Sequence, residues 1–222
     1  MKNPLFTIHK FLGKFLFGSK CASCGTPGEA ICAKCLLLVP LSEETEHDGI
    51  YGVYSYGHPL VSHAIWNLKY KHKGQEAKLL VQKSLGFISE IIAEHLQSES
   101  PEEIILVPVP QYKKKTRKRG FNQSEVLASW IQDSLPYSKL ENILKKTRET
   151  LPQSHLSDKK QRLRNIDGAM QAKRRVEKTK LYIIIDDVTT TGATFLEARR
   201  ALKDSGARNV LCIALAHGYK RR

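Results

Sequence analysis

Apolar residues along this chain gather into short blocks separated by amphipathic stretches. Residues 104–110, 181–185 and 210–216 are continuous apolar runs of strand length, the pattern of strands covered on both faces. Pro108 and Pro110 break the first run at its C-terminal end. Tyr51-Gly52-Val53-Tyr54-Ser55-Tyr56 alternates like a short strand, and a weaker strand is expected near residues 140–144. Between these runs, residues 59–69, 76–96, 122–134 and 193–205 carry apolar positions at helical spacing. Strands alternating with helices predict an α/β fold, a parallel sheet flanked by helices. Residues 145–180 are long, polar and poor in apolar positions, with one helix-like piece (Thr150, Gln153, Leu156). A stretch of that kind inside a compact domain predicts a functional loop or lid. Tyr51, Tyr54, Tyr56 and Trp66 carry two readings, a platform for bases and, favoured over it, packing in the core. His63, His72, His155 and His217 lack metal-ligand spacing.

At the N-terminus, Leu5, Ile8, Leu12, Phe15 and Leu16 share one helical face, with Lys10 and Lys14 elsewhere. Two readings stand: a helix docked on this protein or a partner, or an anchor lying on a membrane surface. His9, Lys10 and Lys14 interrupt the run and no small-residue cleavage site follows, unlike a secretory signal. No apolar run is long enough to span a bilayer. A cytoplasmic protein is expected, with attachment to the inner face of the membrane left open.

Composition is that of an ordinary globular chain: of 222 residues, 41% are apolar and 26% charged, which excludes collagen-like and wholly disordered classes. Charge changes the picture more. The net +14 comes from 36 basic and 22 acidic residues, and residues 113–180 hold 19 of the former and seven of the latter. An excess of +12 in under a third of the chain points to a polyanionic partner, whether DNA, RNA or lipid headgroups. Lys113, Lys114, Lys115, Arg117, Lys118 and Arg119 crowd into one basic loop, flanked by Tyr112 and Phe121. Cations for phosphates beside aromatic rings for bases are what single-strand binding uses.

Four of the five cysteines form two CxxC pairs, Cys21/Cys24 and Cys32/Cys35, seven residues apart. Each CxxC turn offers two thiolates on one side of a metal, and two turns complete a tetrahedral sulfur set that suits structural zinc. Cys212 lies within an apolar run and reads as a buried small hydrophobe.

The sharpest chemistry follows the run at 181–185. Asp186 and Asp187 end an apolar strand, then Thr190, Thr191, Gly192, Ala193 and Thr194 open a helix. First-turn N–H groups and Thr hydroxyls make an anion cradle, and glycine lets the backbone approach a phosphate closely. Paired carboxylates accept hydrogen bonds from a sugar diol or hold Mg²⁺ through water. Together they describe a site for a phosphorylated sugar.

This segment resembles the signature with which type I phosphoribosyltransferases bind 5-phosphoribosyl-1-pyrophosphate (PRPP). More of the chain resembles the ComF family (the ComFC/GntX-like group). The matching features, in the family's order, are the four-Cys knuckle, Val107-Pro108-Val109-Pro110 with the basic stretch after it, Arg119-Gly120-Phe121-Asn122-Gln123, the Gln153…Leu156…Arg162-Leu163-Arg164-Asn165 segment and the PRPP signature. The resemblance implies a zinc element (residues 1–45) on a type I phosphoribosyltransferase-like domain (residues 46–222). It implies that Asp186 and Asp187 meet the ribose hydroxyls and that Thr190–Thr194 wrap the 5′-phosphate, with Mg²⁺ accompanying PRPP. It also implies that Pro108, Val109 and Pro110 meet pyrophosphate and that part of residues 145–180 closes over it, with Arg148, Arg162 and Arg164 offering charge. The implied role is natural transformation: handling single-stranded DNA, in contact with the DNA-uptake machinery. An active phosphoribosyltransferase with an unknown acceptor, and a PRPP-sensing regulator, are the competing readings.

Overall fold

The computed structural model describes residues 20–42, 45–47, 49–71, 73–97, 101–135, 137–150 and 159–218. The helix expected over residues 4–18 lies outside them, as do His72, Gln153, His155 and Leu156.

In chain order the elements are α1 (Ala33–Leu37), β1 (Thr45–His47), β2 (Ile50–Ser55), α2 (Pro59–Tyr70), α3 (Gln75–Gln97), β3 (Ile104–Pro108), α4 (Lys113–Arg119), α5 (Gln123–Gln132), β4 (Ser138–Leu140), β5 (Leu144–Lys146), α6 (Lys159–Ile166), β6 (Met170–Ala172), β7 (Leu181–Thr189), α7 (Ala193–Asp204) and β8 (Asn209–His217). Six strands form one sheet in the order β1-β2-β8-β7-β3-β4, parallel except for the edge strand β1. The parallel sheet flanked by helices expected from the sequence is the observed architecture.

Strand alternation divides the core in two. Ile104, Leu106, Leu181, Ile183, Ile185, Leu211, Ile213 and Leu215 face α2, α3 and α5. Ile105, Val107, Tyr182, Ile184, Cys212 and Ala214 face α7 through Phe195, Ala198 and Leu202. Because both faces are covered, these strands read as unbroken apolar runs. The cysteine knuckle packs on the first face: Ile31 and Val39 join that core, and Lys83 of α3 donates to the carbonyls of Leu36, Leu37 and Val39. Those carbonyls end α1, so a lysine from another element satisfies acceptors the short helix cannot.

Four expectations need correction. The single strand near 140–144 is two, β4 on the main sheet and β5 outside it, because residues 141–143 break the pairing. The polar stretch 145–180 holds regular structure: β5 and β6 pair antiparallel as a small hood, with α6 between them in sequence. The basic run 113–119 is the helix α4, not a loop, closed by Gly120 in the left-handed region at φ 84. Of the four aromatics expected in the core, Tyr54 is fully buried and donates to Leu80 O at 2.8 Å, and Tyr51 packs against the core. Tyr56 and Trp66 are exposed.

Candidate functional site

The chain leaves β3 through α5 towards β4, and leaves β7 through α7 towards β8, so their carboxyl ends diverge at a switch point. In an open α/β sheet that crevice is where ligands sit. A cleft of about 390 Å³ opens there, lined by the loop after β3, the end of β7, the start of α7, Lys69 and Tyr70 of α2, Lys115 and Arg119 of α4, and Lys146 of β5.

Its floor is the carboxylate pair. Asp186 and Asp187 are both buried. Ser124 Oγ and the Asp187 backbone N–H both donate to Asp186 Oδ1, each at 2.8 Å. Burial, and then the neighbouring Asp187 charge, push the Asp186 carboxyl up to about 7. Lys69 Nζ lies 2.7 Å from Asp187 Oδ2 as a close ion pair. Burial opposes the Lys69 charge, yet Asp187 overrides it and raises the lysine above its ordinary value.

Across the cleft, Thr190, Thr191, Gly192, Ala193 and Thr194 form the turn into α7. Gly192 stands at φ 68, a conformation most other residues reach only with strain. Five sequence-predicted residues thus line the same cleft as the aspartates. Val109 and Pro110 line the same cleft, and the Val109 N–H donates to Ile185 O at 2.9 Å. Pro108 is not among the lining residues; it ends β3 opposite Ile185, beyond the reach of β4, where its missing N–H costs no ladder bond.

The segment from Arg119 to Ser124 ties these walls together. Arg119 and Gln111 both donate to Gln123 Oε1. Asn122 caps α5 by accepting from Ser124 N at 3.2 Å and donates to Val109 O at 3.0 Å. Ser124 then reaches Asp186. A short polar motif thereby fixes the loop after β3 against the carboxylate at the end of β7.

The basic helix splits by face. Lys115 and Arg119, one turn apart, line the cleft, whereas Lys113, Lys114 and Arg117 are exposed; the Lys118 side chain lies outside the described residues. Arg148 is exposed and donates to Asp167 O at 2.7 Å, and Arg164 is exposed; neither lines the cleft. The Arg162 side chain is outside the described residues.

Sequence reasoning missed Lys69, Ser124, Gln111, Tyr70 and Lys146. Burial, then repulsion from Lys115, lowers the Lys146 ammonium below its ordinary value. The hood that carries it is fixed by Glu197 of α7, which accepts from Met170 N at 2.8 Å and pairs with Arg200 at 2.8 Å. Arg200 in turn donates to Met170 O at 3.1 Å.

Away from the cleft, the sulfurs of Cys21, Cys24, Cys32 and Cys35 all lie within 4.8 Å of one another. A tetrahedral zinc with Zn–S near 2.3 Å sets sulfurs about 3.8 Å apart, so this donor set fits a metal such as zinc. Burial works against the Cys21 thiolate, yet N–H groups of Cys24, Cys32 and Ser23 donate to it and pull the thiol down to about 6. Cys212 is fully buried, as expected.

No protein-family model matches the chain. Over 195 residues it is 29% identical to the DNA utilization protein YhgH of Salmonella typhi, covering 86% of this chain and 81% of that one. It is 28% identical over 201 residues to Competence protein F of Haemophilus influenzae, covering 88% and 83%. Among solved structures it is similar to a phosphoribosylpyrophosphate synthetase from Mycobacterium smegmatis, with a TM-score of 0.38, 21% identity, and 61% and 33% of the two chains covered. A purine phosphoribosyltransferase from Pyrococcus horikoshii gives a TM-score of 0.33 at 15% identity, covering 64% and 84%. Over most of its length, this chain is thus similar to Competence protein F and to the DNA utilization protein YhgH, curated homologues at 28–29% identity.

Proposed function

We propose that the cleft binds PRPP or a related sugar phosphate with Mg²⁺, and that the protein handles single-stranded DNA in the cytoplasm. The observation that carries the first part is the buried aspartate pair lining the switch-point cleft together with the Thr190–Thr194 turn. Asp187 Oδ2 is buried and ion-paired with Lys69 at 2.7 Å, and a ribose hydroxyl or a metal-bound water would offer it a further donor. The N–H groups opening α7 suit the 5′-phosphate, and Val109, Pro110, Lys115, Arg119 and Lys146 suit pyrophosphate. Asp186 and Asp187 would hold Mg²⁺ through water, and the ion would supply positive charge against the pyrophosphate.

The second part draws on the exposed cations of α4, and on relatives whose names tie them to competence and DNA utilization. The four thiolates would hold structural zinc with no open coordination position, which makes the knuckle a folding device. No helix among the described residues is long and apolar enough to cross a membrane. Contact with DNA-uptake machinery would be made at the inner face of the membrane.

Lys115, Arg119 and Lys146 in the cleft also favour a second reading, an active phosphoribosyltransferase. An acceptor's lone pair would attack C1, the C1–O bond would break, and these cations would stabilise the departing pyrophosphate.

Phosphorus NMR of PRPP with Mg²⁺ and the zinc-loaded protein tests both readings. Broadened PRPP signals that vanish in Asp186→Asn/Asp187→Asn support the binding site. Accumulating pyrophosphate that the double variant does not produce supports catalysis, and no perturbation by either protein refutes the assignment.

A further inference from the structure

The last turn of α2 presents two aromatic side chains to solvent. Trp66 is 46% exposed and Tyr70 60%. One helical turn apart, their ring centroids are 5.8 Å from each other with planes inclined at 47°. Each ring already has a cation on its face: Lys71 Nζ lies 5.4 Å from the Trp66 centroid, and Arg119 Cζ 5.5 Å from that of Tyr70. Arg119 ends α4, whose Lys113, Lys114 and Arg117 are also exposed. Tyr70 and Arg119 both line the cleft, and ring and cation contacts run from them through Trp66 to Lys71 beyond it.

Core packing does not explain this pair, because Trp66 and Tyr70 lie on the opposite side of α2 from Val61, Ile65 and Leu68, which are buried. Exposed rings interleaved with cations match a ligand that offers flat π-faces at regular intervals along a chain of negative charges. A duplex keeps its bases stacked on one another and offers no such faces; a single strand does.

We propose that Trp66 and Tyr70 are a base-stacking platform, on which bases of a single DNA strand lie while Lys71, Arg119 and the outward cations of α4 hold its phosphates. The proposal rests on the DNA-handling reading above and adds the place and the mode of contact. Arg119 is the residue that strand and cleft share.

Fluorescence anisotropy of the full chain tests it with three labelled probes of equal length: oligothymidylate, an abasic strand and a duplex. The wild type should prefer oligothymidylate, and Trp66→Ala and Tyr70→Ala should each weaken that binding about tenfold while leaving abasic-strand affinity unchanged. Tyr70→Phe keeps the ring and should bind like the wild type. Trp66→Ala and Tyr70→Ala should lower the melting temperature by no more than the lost ring contacts cost, and Tyr70→Phe, which keeps the ring beneath Arg119, should melt like the wild type. Equal affinity for thymidylate and abasic strands would overturn the platform and leave DNA handling standing, as would binding to the duplex as tight as to oligothymidylate. If no probe binds, while vesicles containing phosphatidylglycerol do and Trp66→Ala abolishes it, DNA handling and platform both fail and the rings belong to a membrane interface.

Discussion

The state of Asp186 gives the candidate site a thermodynamic signature that needs no ligand. Burial and the Asp187 charge push its carboxyl from 3.8 to about 7. A carboxyl raised in this way keeps its proton in the folded protein after the unfolded chain has released it. Each pH unit between about 4 and 7 therefore lowers folding stability by up to about 1.4 kcal/mol. Over that window the upper bound is about 4 kcal/mol, and the effective dielectric of a water-lined cleft brings the expected cost nearer 2 kcal/mol. Asp186→Asn removes the charge while keeping Oδ1, the atom that accepts from Ser124 and from the Asp187 N–H. The variant should be more stable than the wild type at pH 8 by about 2 kcal/mol, roughly 4–8 °C in melting temperature for a chain of this size. That gain should shrink towards zero as pH approaches 4. Urea unfolding of both proteins at pH 4.5 and pH 8 measures it, and protonation of the cysteine cluster cancels because each comparison is made at one pH. A variant less stable at pH 8, or a gain independent of pH, would refute the reasoning. The same variant should lose PRPP binding, because a carboxylate kept against stability is retained for what it binds.

Four further perturbations probe other links. Ser124→Ala removes a donor to Asp186 and should raise that carboxyl further, moving the midpoint of PRPP binding to higher pH by about half a unit to one unit, read by NMR titration. Glu197→Gln weakens the grip of α7 on Met170, so amide exchange in residues 144–146 and 170–172 should accelerate about tenfold ahead of global unfolding. Gly52→Ala would put a Cβ 2.5 Å from His217 Cβ and 3.0 Å from its backbone nitrogen; parting β2 from β8 should cost about 3 kcal/mol in urea unfolding. Cys32→Ser should abolish stoichiometric zinc retention and lower the melting temperature, since the knuckle packs on α3 through Lys83.

What could be read from the sequence follows from where its signals are local. The runs that became β3, β7 and β8 are visible because both faces are covered, and the acid pair with the Thr/Gly turn is visible because strand, turn and helix are consecutive. Lys69 was not legible as a site residue: it comes from the last turn of α2, and only the parallel pairing of β2 with β8 carries that helix towards Asp187. The hood escaped notice because Leu144–Lys146 and Met170–Ala172 are too short for a period, and Glu197 and Arg200 of α7 fix them in place. Trp66 was misplaced because an aromatic ring reads as core wherever it falls, and the solvent side of α2 shows itself only once Val61, Ile65 and Leu68 are seen to be buried.

Helix α4 is where local rules and tertiary structure disagree most. Lys113 and Arg117, Lys114 and Lys118, and Lys115 and Arg119 are like-charge pairs at i,i+4 spacing, each opposing helix formation by a few tenths of a kcal/mol. The first turn holds no acid and three lysines face the positive end of the helix dipole, which opposes it again. No apolar stripe compensates. What holds the helix lies at its end and beyond it: the Gly120 N–H donates to Thr116 O at 2.7 Å, and Arg119 donates to Gln123 and stands over the Tyr70 ring. The helix thus depends on a cap and on one arginine anchored at the cleft, and every anion brought near it relieves a repulsion it already bears. Lys115 and Arg119 turn towards the sugar-phosphate cleft while Lys113, Lys114 and Arg117 turn outward. An anion on either side therefore stabilises the same seven residues that present charge to the other.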